Sequence, residues 1–254
     1  MRENREQQVI EAFVALAGTL ADGFDVVELL SGLTSDCARL LDIASAGLLL
    51  ADAKGVLHVL AASSEKTRQL ELFQLQCEQG PCLECFEQGT AVSVPDLSQE
   101  AQRWPQFVEA ATAAGFASVH AVPMRLRSHR LGTLGLFGTS VGALNDEDLR
   151  LAQSLAQVAS VALVQDKAVA DHQVIVEQLQ IALTSRVVLE QAKGVLASRG
   201  DLEMDDAFAF LRRYARDHNQ RLSDVARAVV SRELSAQQLL DHARPGATGD
   251  RKHR

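Results

Sequence analysis

The spacing of apolar and polar residues divides the chain into a mixed N-terminal part and a helical C-terminal part. Helices are predicted in four early segments, over residues 3–20, 25–41, 65–76 and 98–114, the last with a break at Trp104-Pro105. Short apolar or alternating runs between these segments predict β-strands. The first two strands form a hairpin around the sequence ADAKG, and the last two are joined at Ser128-His129. The first part of the chain is therefore expected to combine helices with strands.

A long helical segment connects the two parts. Asn145 is a suitable N-cap, and the acidic residues after it favour the positive end of a helix dipole. No Gly or Pro follows before Gly194, which predicts one long helix or two stacked in line. Apolar residues at spacing seven predict a coiled-coil seam and a homodimer, although a helix packed on its own domain fits the same pattern. The seam consists of Ala168, Ile175, Ala182, Leu189 and Leu196, with polar residues at the companion positions His172, Arg186 and Lys193.

Three short amphipathic helices are predicted at the end of the chain, over residues 176–198, 203–217 and 222–234. The segment that follows shows a short helical start from Ala236 and then no periodicity. We therefore expect a flexible tail over residues 237–254, with disorder from about Arg244.

Length and composition fit an ordinary soluble protein of about two domains. The chain has 254 residues, of which 47% are hydrophobic and 23% charged. No stretch approaches the roughly 18 apolar residues that a membrane span needs. The first residues lack the apolar core of a signal peptide. We therefore expect a cytoplasmic protein without a membrane segment.

Charge is distributed unevenly along the chain. The formal net charge is −8. From Val176 onward there are 13 Lys/Arg and 11 Asp/Glu, whereas the residues before it have 12 and 22. An acidic body joined to a weakly basic end is consistent with a C-terminal part that binds a polyanion.

A cysteine cluster follows the strand-rich start of the chain. Cys77, Cys82 and Cys85 surround a Gly80-Pro81 turn that leads into a short helix. Thiolates at such spacings can bind zinc or an iron–sulfur cluster, but there is no second CxxC pair and no nearby histidine, so no metal site is predicted. A CxxC pair at a helix start can also act as a redox sensor. The third interpretation is that these cysteines pack as small apolar groups.

No enzyme signature is found. The acidic residues are scattered over helix faces, and local spacing suggests no Ser/His/Asp or Cys/His arrangement. Glycine-rich phosphate loops are also absent from the sequence. His58 and His120 alternate within strand-like runs, where they either line a pocket or serve as structural histidines. We therefore expect a protein without catalytic activity.

Basic residues of the last helices are candidates for phosphate contacts. Arg186 and Lys193 are seven residues apart and share one helix face. Arg212, Arg213 and Arg216 share a side of the next helix. Such clusters neutralise phosphates and stack on unpaired bases, and the aromatic residue Tyr214 lies among these arginines in sequence. A solvated face balanced by acidic neighbours fits the same pattern.

The same C-terminal segment resembles the ANTAR domain, a family that binds RNA hairpins and suppresses transcription termination. The resemblance implies that Arg186, Lys193, Gly194, Arg212 and Arg216 contact RNA. It covers about sixty residues with several fixed spacings. The matching positions are Ser185-Arg186, Glu190 to Gly194, Ala207-Phe208, Leu211-Arg212, Ala215, Leu222 and Asp224-Val225-Ala226.

The preceding part is similar to GAF domains. The residues that carry this resemblance are Gly80-Pro81-Cys82, Val94 to Leu97, Trp104-Pro105 and Ala121-Val122-Pro123. It implies an α/β sensor with an antiparallel sheet flanked by helices. GAF domains bind varied small molecules or none, so an unidentified small-molecule ligand is a candidate partner, and no particular cofactor is predicted.

These expectations combine into a homodimeric signal-responsive regulator. The expected order is a sensor over residues 1–165, a coiled-coil signalling helix over 166–178, an RNA-binding domain over 179–236 and the tail. Such a protein would bind tandem RNA stem-loops in leader transcripts and promote antitermination. Two alternatives stay open, namely a helical domain that binds a protein partner and a thiol redox sensor.

Overall fold

The computed structural model describes residues 2–18, 25–164 and 172–243. The chain divides into two compact units, one over Met1–Ala182 and one over Leu183–Arg254.

The first unit is built on a five-stranded antiparallel sheet with the strand order β2-β1-β5-β4-β3. β1 and β2 form the predicted hairpin. β4 and β5 pair along most of their length, and most residues of these two strands are buried. The strands are β1 (Ser45–Ala51), β2 (Leu57–Ala62), β3 (Val92–Val94), β4 (Ser118–Leu126) and β5 (His129–Gly138).

Helices flank the sheet, and the sequence specifies where several of them begin. The Asp25 carboxylate caps the second helix by accepting from Val27 N at 2.9 Å, and the Ser64 hydroxyl caps the third by accepting from Thr67 N at 3.3 Å. The helices are α1 (Arg2–Gly18), α2 (Val26–Leu40), α3 (Glu65–Cys77), α4 (Pro81–Gln88), α5 (Pro105–Ala113) and α6 (Asp146–Val164).

One apolar core lies between the sheet and helices α3 to α5. Because successive strand residues point to opposite faces, alternate residues of β4 and β5 reach this core. Its members include Val119, Ala121, Phe137, Trp104, Phe107, Cys82 and Cys85.

The helical segment predicted over residues 98–114, with a break at Trp104-Pro105, is two separate elements in the structure. A 3₁₀ turn covers Leu97–Glu100, and α5 begins only at Pro105. Proline has no N–H to donate and a fixed φ, which suits the first turn of a helix but not its interior. The break near Trp104-Pro105 therefore ends one element and starts the next.

The second unit is helical. From Leu183 onward it contains most of α7, then α8 and α9, and a fourth helix α10. Buried Ala207, Leu211 and Ala215 form the inward stripe of α8. The helices are α7 (His172–Gly200), α8 (Met204–Asp217), α9 (Leu222–Val230) and α10 (Ala236–Ala243).

Helix α10 covers the short helical start expected from Ala236, at the beginning of the segment predicted as a flexible tail. Leu239 and Leu240 are 1% and 7% exposed. Their burial supplies apolar contacts that a helix of only eight residues needs to be stable. The rest of the predicted tail, over residues 244–254, lies outside the described residues.

The described part of the predicted coiled-coil seam is buried within the single chain. Ala182, Leu189 and Leu196 are each 0% exposed. These positions therefore favour the alternative of a helix packed on its own chain, and they offer no free seam to a second copy. The side chains of Ala168 and Ile175 lie outside the described residues. Over the parts that the structure describes, no helix has both the length and the apolar character to cross a membrane.

Candidate nucleic-acid interface

Two of the predicted RNA contacts lie together on α7. Arg186 and Lys193 share one helix face, as their spacing of seven predicts, but that face is buried: the residues are 8% and 4% exposed. Both side chains pair with Glu190. Arg186 Nη2 lies 2.7 Å from Glu190 Oε1, and Lys193 Nζ lies 3.1 Å from the same oxygen. In this arrangement the two cations serve an internal ion-pair cluster.

Helix geometry explains this burial. Residues 182, 186, 189, 193 and 196 alternate in steps of four and three, so the two cations fall on the same stripe as the buried apolar residues. Lys193 Nζ also lies 5.9 Å from the ring centroid of Phe208 on α8. A buried cation without a partner is costly, and the Glu190 carboxylate offsets this cost for both.

The arginines of α8 are more accessible. Arg216 exposes 71% of its side chain and Arg213 exposes 45%, while Arg212 is half-buried. Arg213 Nε and Arg216 Nε lie 3.6 Å and 3.9 Å from the carboxylate of Asp217. Such long ion pairs at exposed positions stabilise a protein little. These guanidinium groups can therefore leave Asp217 and bind a ligand with only a small loss of free energy.

Gly194 lies on the exposed side of α7. It lines an open groove of about 830 Å³ together with Gln191, Ser198, Val230 and Arg232. A Cβ added at Gly194 would meet no atom within 4 Å among the neighbours considered, so close helix packing does not require glycine here. The position leaves the helix backbone open to a ligand.

A cluster of rings that sequence reasoning missed lies at the end of α8. Tyr214 and His218 stack with ring centroids 3.9 Å apart and an interplanar angle of 18°. His242 of α10 completes the cluster at 5.3 Å from Tyr214 and 5.0 Å from His218. No local pattern reveals this cluster, because it forms only where α10 packs against α8 and brings His242 to Tyr214 and His218.

The cysteine cluster is mostly buried in the first unit. Cys82 and Cys85 are 0% exposed, and Cys77 is half-buried. Burial raises the pKa of the Cys85 thiol to about 12, and burial together with the charge of Glu71 raises the pKa of Cys82 well above its ordinary value. A redox role of Cys82 and Cys85 needs a lowered pKa at the helix start, whereas burial raises the pKa of both thiols. Among the described residues, no group of three or more His, Cys, Asp or Glu side chains is arranged to hold a metal ion.

The Glu71 carboxyl is fully buried beside these thiols. It accepts a hydrogen bond from Gln74 Nε2 at 2.6 Å, and Cys82 Sγ donates to its Oε1 at 3.6 Å. Burial raises the pKa of Glu71 to about 8. A Cβ on Gly47 or Gly135 would lie 2.7 Å or 2.8 Å from Glu71 Oε1, so these two strand glycines make room for the carboxyl.

His120 is a buried histidine with both ring nitrogens engaged. Its Nε2 accepts from Leu144 N at 3.2 Å, so the Nδ1–H donates to Ser93 Oγ at 2.7 Å. Burial lowers the pKa of His120, which favours the neutral ring. His120 also borders a cavity of about 370 Å³ beside residues 139–145, so it is both structural and at a cavity wall. His58, half-buried, pairs with Asp52 at 3.1 Å.

Comparison with known families decides the identity of both units. The family model of the GAF domain matches residues 25–164, which is more than half of the chain, and that of the ANTAR domain matches residues 177–230. The chain belongs to the GAF family and carries an ANTAR domain. Both resemblances predicted from sequence are confirmed. A comparison with curated proteins gives no match.

Several solved structures are similar to part of this chain. A GAF domain of a phosphoenolpyruvate-protein phosphotransferase from Coxiella burnetii is similar at a TM-score of 0.50 and 12% identity, covering 62% of this chain and 93% of that one. The GAF domain of the corresponding protein from Acinetobacter gives a TM-score of 0.48 at 12% identity, covering 64% and 96%. A free methionine-R-sulfoxide reductase from Thermoplasma acidophilum gives 0.44 at 16%, covering 54% and 94%. The similarity to the Coxiella burnetii domain supports the fold, an antiparallel GAF sheet flanked by helices. It implies nothing about the activity of this chain.

The matches also assign the elements. The GAF match spans the complete sheet and helices α2 to α6, and the ANTAR match spans most of α7 and all of α8 and α9. Helix α10 lies beyond the ANTAR match. GAF domains are sensors and ANTAR domains are RNA-binding regulators, so the architecture is that of a signal-sensing regulatory protein.

Proposed function

We propose that this protein binds tandem RNA stem-loops in leader transcripts through its ANTAR domain and thereby promotes transcription antitermination. The ANTAR match over residues 177–230 is the observation that carries this proposal. By holding the stem-loops, the protein would prevent an overlapping terminator from forming. The GAF domain would receive the signal, with a small molecule as its candidate ligand.

The exposed arginines of α8 are the proposed phosphate contacts. Arg212 and Arg216 are four residues apart and therefore lie on one helix face. Arg216 has most of its side chain in solvent, with Asp217 at the long distance of 3.9 Å. Each phosphate that they neutralise would release condensed counterions and make binding salt-dependent.

Arg186 and Lys193 have a different proposed role. Their ion pairs with Glu190 and their burial support a role in fixing α7 within the ANTAR domain, with any RNA contact requiring the displacement of Glu190. Gly194 remains a proposed site of close backbone approach, since the helix is open there.

The domain limits and the dimer are part of the proposal. Sensor, signalling helix and RNA-binding domain are proposed over residues 1–165, 166–178 and 179–236. A homodimer would place two ANTAR domains on tandem stem-loops. Because the seam residues from Ala182 to Leu196 are buried in the single chain, such a dimer would form through other surfaces.

Selection from a pool of RNAs tests the proposal. The purified full chain is incubated with RNAs that carry one or two hairpins with randomised loops, beside the Arg212→Ala/Arg216→Ala variant. We expect the native protein to enrich two-hairpin RNAs. We also expect it to increase read-through of a terminator placed behind these RNAs. No enrichment over the variant would overturn the proposal.

The groove beside Gly194 favours one rival function, the binding of a protein partner. Its wall includes the partly exposed apolar residues Val195 and Val230. Such a groove can accept a partner helix. Partner binding that is insensitive to salt, without RNA enrichment, would support this rival.

A further inference from the structure

The ring cluster of Tyr214, His218 and His242 lies at the surface of the helical unit. His218 is exposed, and the other two residues are half-buried. Aromatic and imidazole rings at a surface can stack on the flat face of an unpaired base, an interaction that tolerates any base.

The rings are held in place before any ligand arrives. His218 Nδ1 lies 2.9 Å from Tyr214 O, and His242 Nε2 donates to Asp217 Oδ2 at 3.0 Å. Helix α10 is anchored by its buried leucines, Leu239 and Leu240. A preorganised site loses little conformational entropy on binding.

Cations adjoin the rings. Arg213 and Arg216 lie on the same end of α8, and both approach Asp217, which also accepts from His242. Rings beside exposed guanidinium groups match the two chemical parts of a single-stranded nucleotide, a base to stack and a phosphate to neutralise. This combination favours RNA over an apolar protein surface.

We propose that Tyr214, His218 and His242 form a stacking site for one unpaired base of an RNA loop, with Arg216 on its phosphate. The inference rests on the proposed RNA-binding function and specifies its site. His242 comes from α10, beyond the segment that matches the ANTAR family, so the site combines this domain with the helix that follows it.

Substitution of His218 tests the site, because its exposed side chain can be removed without opening the core. The probe is the tightest two-hairpin RNA from the selection. We expect His218→Ala to weaken binding about tenfold, within the range for loss of one base–aromatic stack. Gln220→Ala, at an exposed position two residues away, should bind like the native protein.

A second set of probes separates stacking from an indirect effect. Each loop nucleotide of the RNA is replaced in turn by an abasic one. One of these abasic RNAs should bind the native protein about tenfold more weakly than the unmodified RNA does. For that RNA, His218→Ala should cause no further loss of affinity, because the base that stacks on the ring is already missing. Equal additional losses for every abasic RNA would overturn the stacking site.

Failure of the inference and failure of the function give different results. If His218→Ala binds like the native protein while Arg212→Ala/Arg216→Ala is weakened, the stacking site is overturned and RNA binding stands. If the native protein enriches no hairpin RNA, both are overturned. If His218→Ala leaves RNA binding intact but releases a bound protein, the rings form a protein-binding surface and the RNA stacking site is overturned.

Discussion

The carboxyl of Glu71 shows how one buried residue can couple the GAF domain to pH. It sits above two strand glycines, with hydrogen bonds from Gln74 and Cys82, and its pKa is raised by burial from 4.5 to about 8. The folded protein therefore holds a proton that the unfolded chain releases above pH 4.5. Folding takes up this proton, so the free energy of unfolding falls as the pH rises toward 8.

Replacement of Glu71 by glutamine should remove this pH dependence. The native protein is expected to lose up to about 1.4 kcal/mol of unfolding free energy per pH unit between about pH 5 and 8 because of this group, and Glu71→Gln should show a flatter slope. Fluorescence of Trp104, the single tryptophan and a buried one, reports unfolding of the GAF domain in urea. Parallel slopes for Glu71→Gln and native protein would contradict the assignment, and exposed Glu87→Gln serves as the control.

The four cysteines should differ in reactivity in the order of their burial. Cys77 is half-buried, whereas Cys37, Cys82 and Cys85 are fully buried with raised pKa values. A disulfide reagent added to the folded protein is expected to modify Cys77 first and the other three only on unfolding, because the thiolate is the reactive form. Cys77→Ser should abolish the fast phase. Rapid reaction of Cys82 or Cys85 in the folded state would restore the redox interpretation.

At the scale of single elements, α7 carries its cations on its buried stripe. Arg186, Glu190 and Lys193 are placed within two helical turns, so one carboxylate serves two cations. The spacing of seven in the sequence indicates that the two cations share a face. It does not indicate which face is buried, because that depends on the helices packed against it.

Removal of the shared carboxylate should destabilise the ANTAR domain. Glu190→Ala leaves two nearly buried cations without this partner, and we expect a loss of roughly 3 kcal/mol, at the low end for breaking a buried ion pair because 24% of the Glu190 side chain is exposed. Thermal unfolding followed by circular dichroism measures this loss, while Trp104 fluorescence reports the GAF domain separately. Exposed Glu233→Ala is the matched control, and equal stability of the two variants would contradict the role of Glu190.

Helix α10 marks the limit of prediction from periodicity. Its eight residues give one or two turns of pattern, which does not distinguish a short helix from the start of a tail. The burial of Leu239 and Leu240 decides the matter, and that burial depends on partners such as Gly200, where an added Cβ would lie 2.7 Å from Leu240 Cδ2.

Across the whole molecule, the features that depend on residues close together in sequence could be predicted. Alternating runs, the proline at the start of α5 and the motifs of the ANTAR segment predict the strands, a helix boundary and the two domain families. Contacts distant in sequence were not predictable. The burial of Glu71 in a polar helix depends on Gly47 and Gly135 in two strands, and the ring cluster depends on His242 in α10. The spacing of Ala182, Leu189 and Leu196 predicted a dimer, with packing on the same chain as the alternative, and the burial of these residues within the chain favours that alternative.

The most direct test of the account is the salt dependence of RNA binding by the full chain. Affinity for the selected two-hairpin RNA is measured between about 50 and 200 mM salt for the native protein, for Arg212→Ala/Arg216→Ala, and for the control Arg227→Ala on α9. Each phosphate contact contributes roughly 0.7 to 0.9 to the slope of log Kobs against log salt. We predict tight binding by the native protein and a slope shallower by about 1.5 in the double variant, with the control unchanged. Native binding that does not depend on salt, or an unchanged slope in the double variant, would contradict an RNA-binding face on α8.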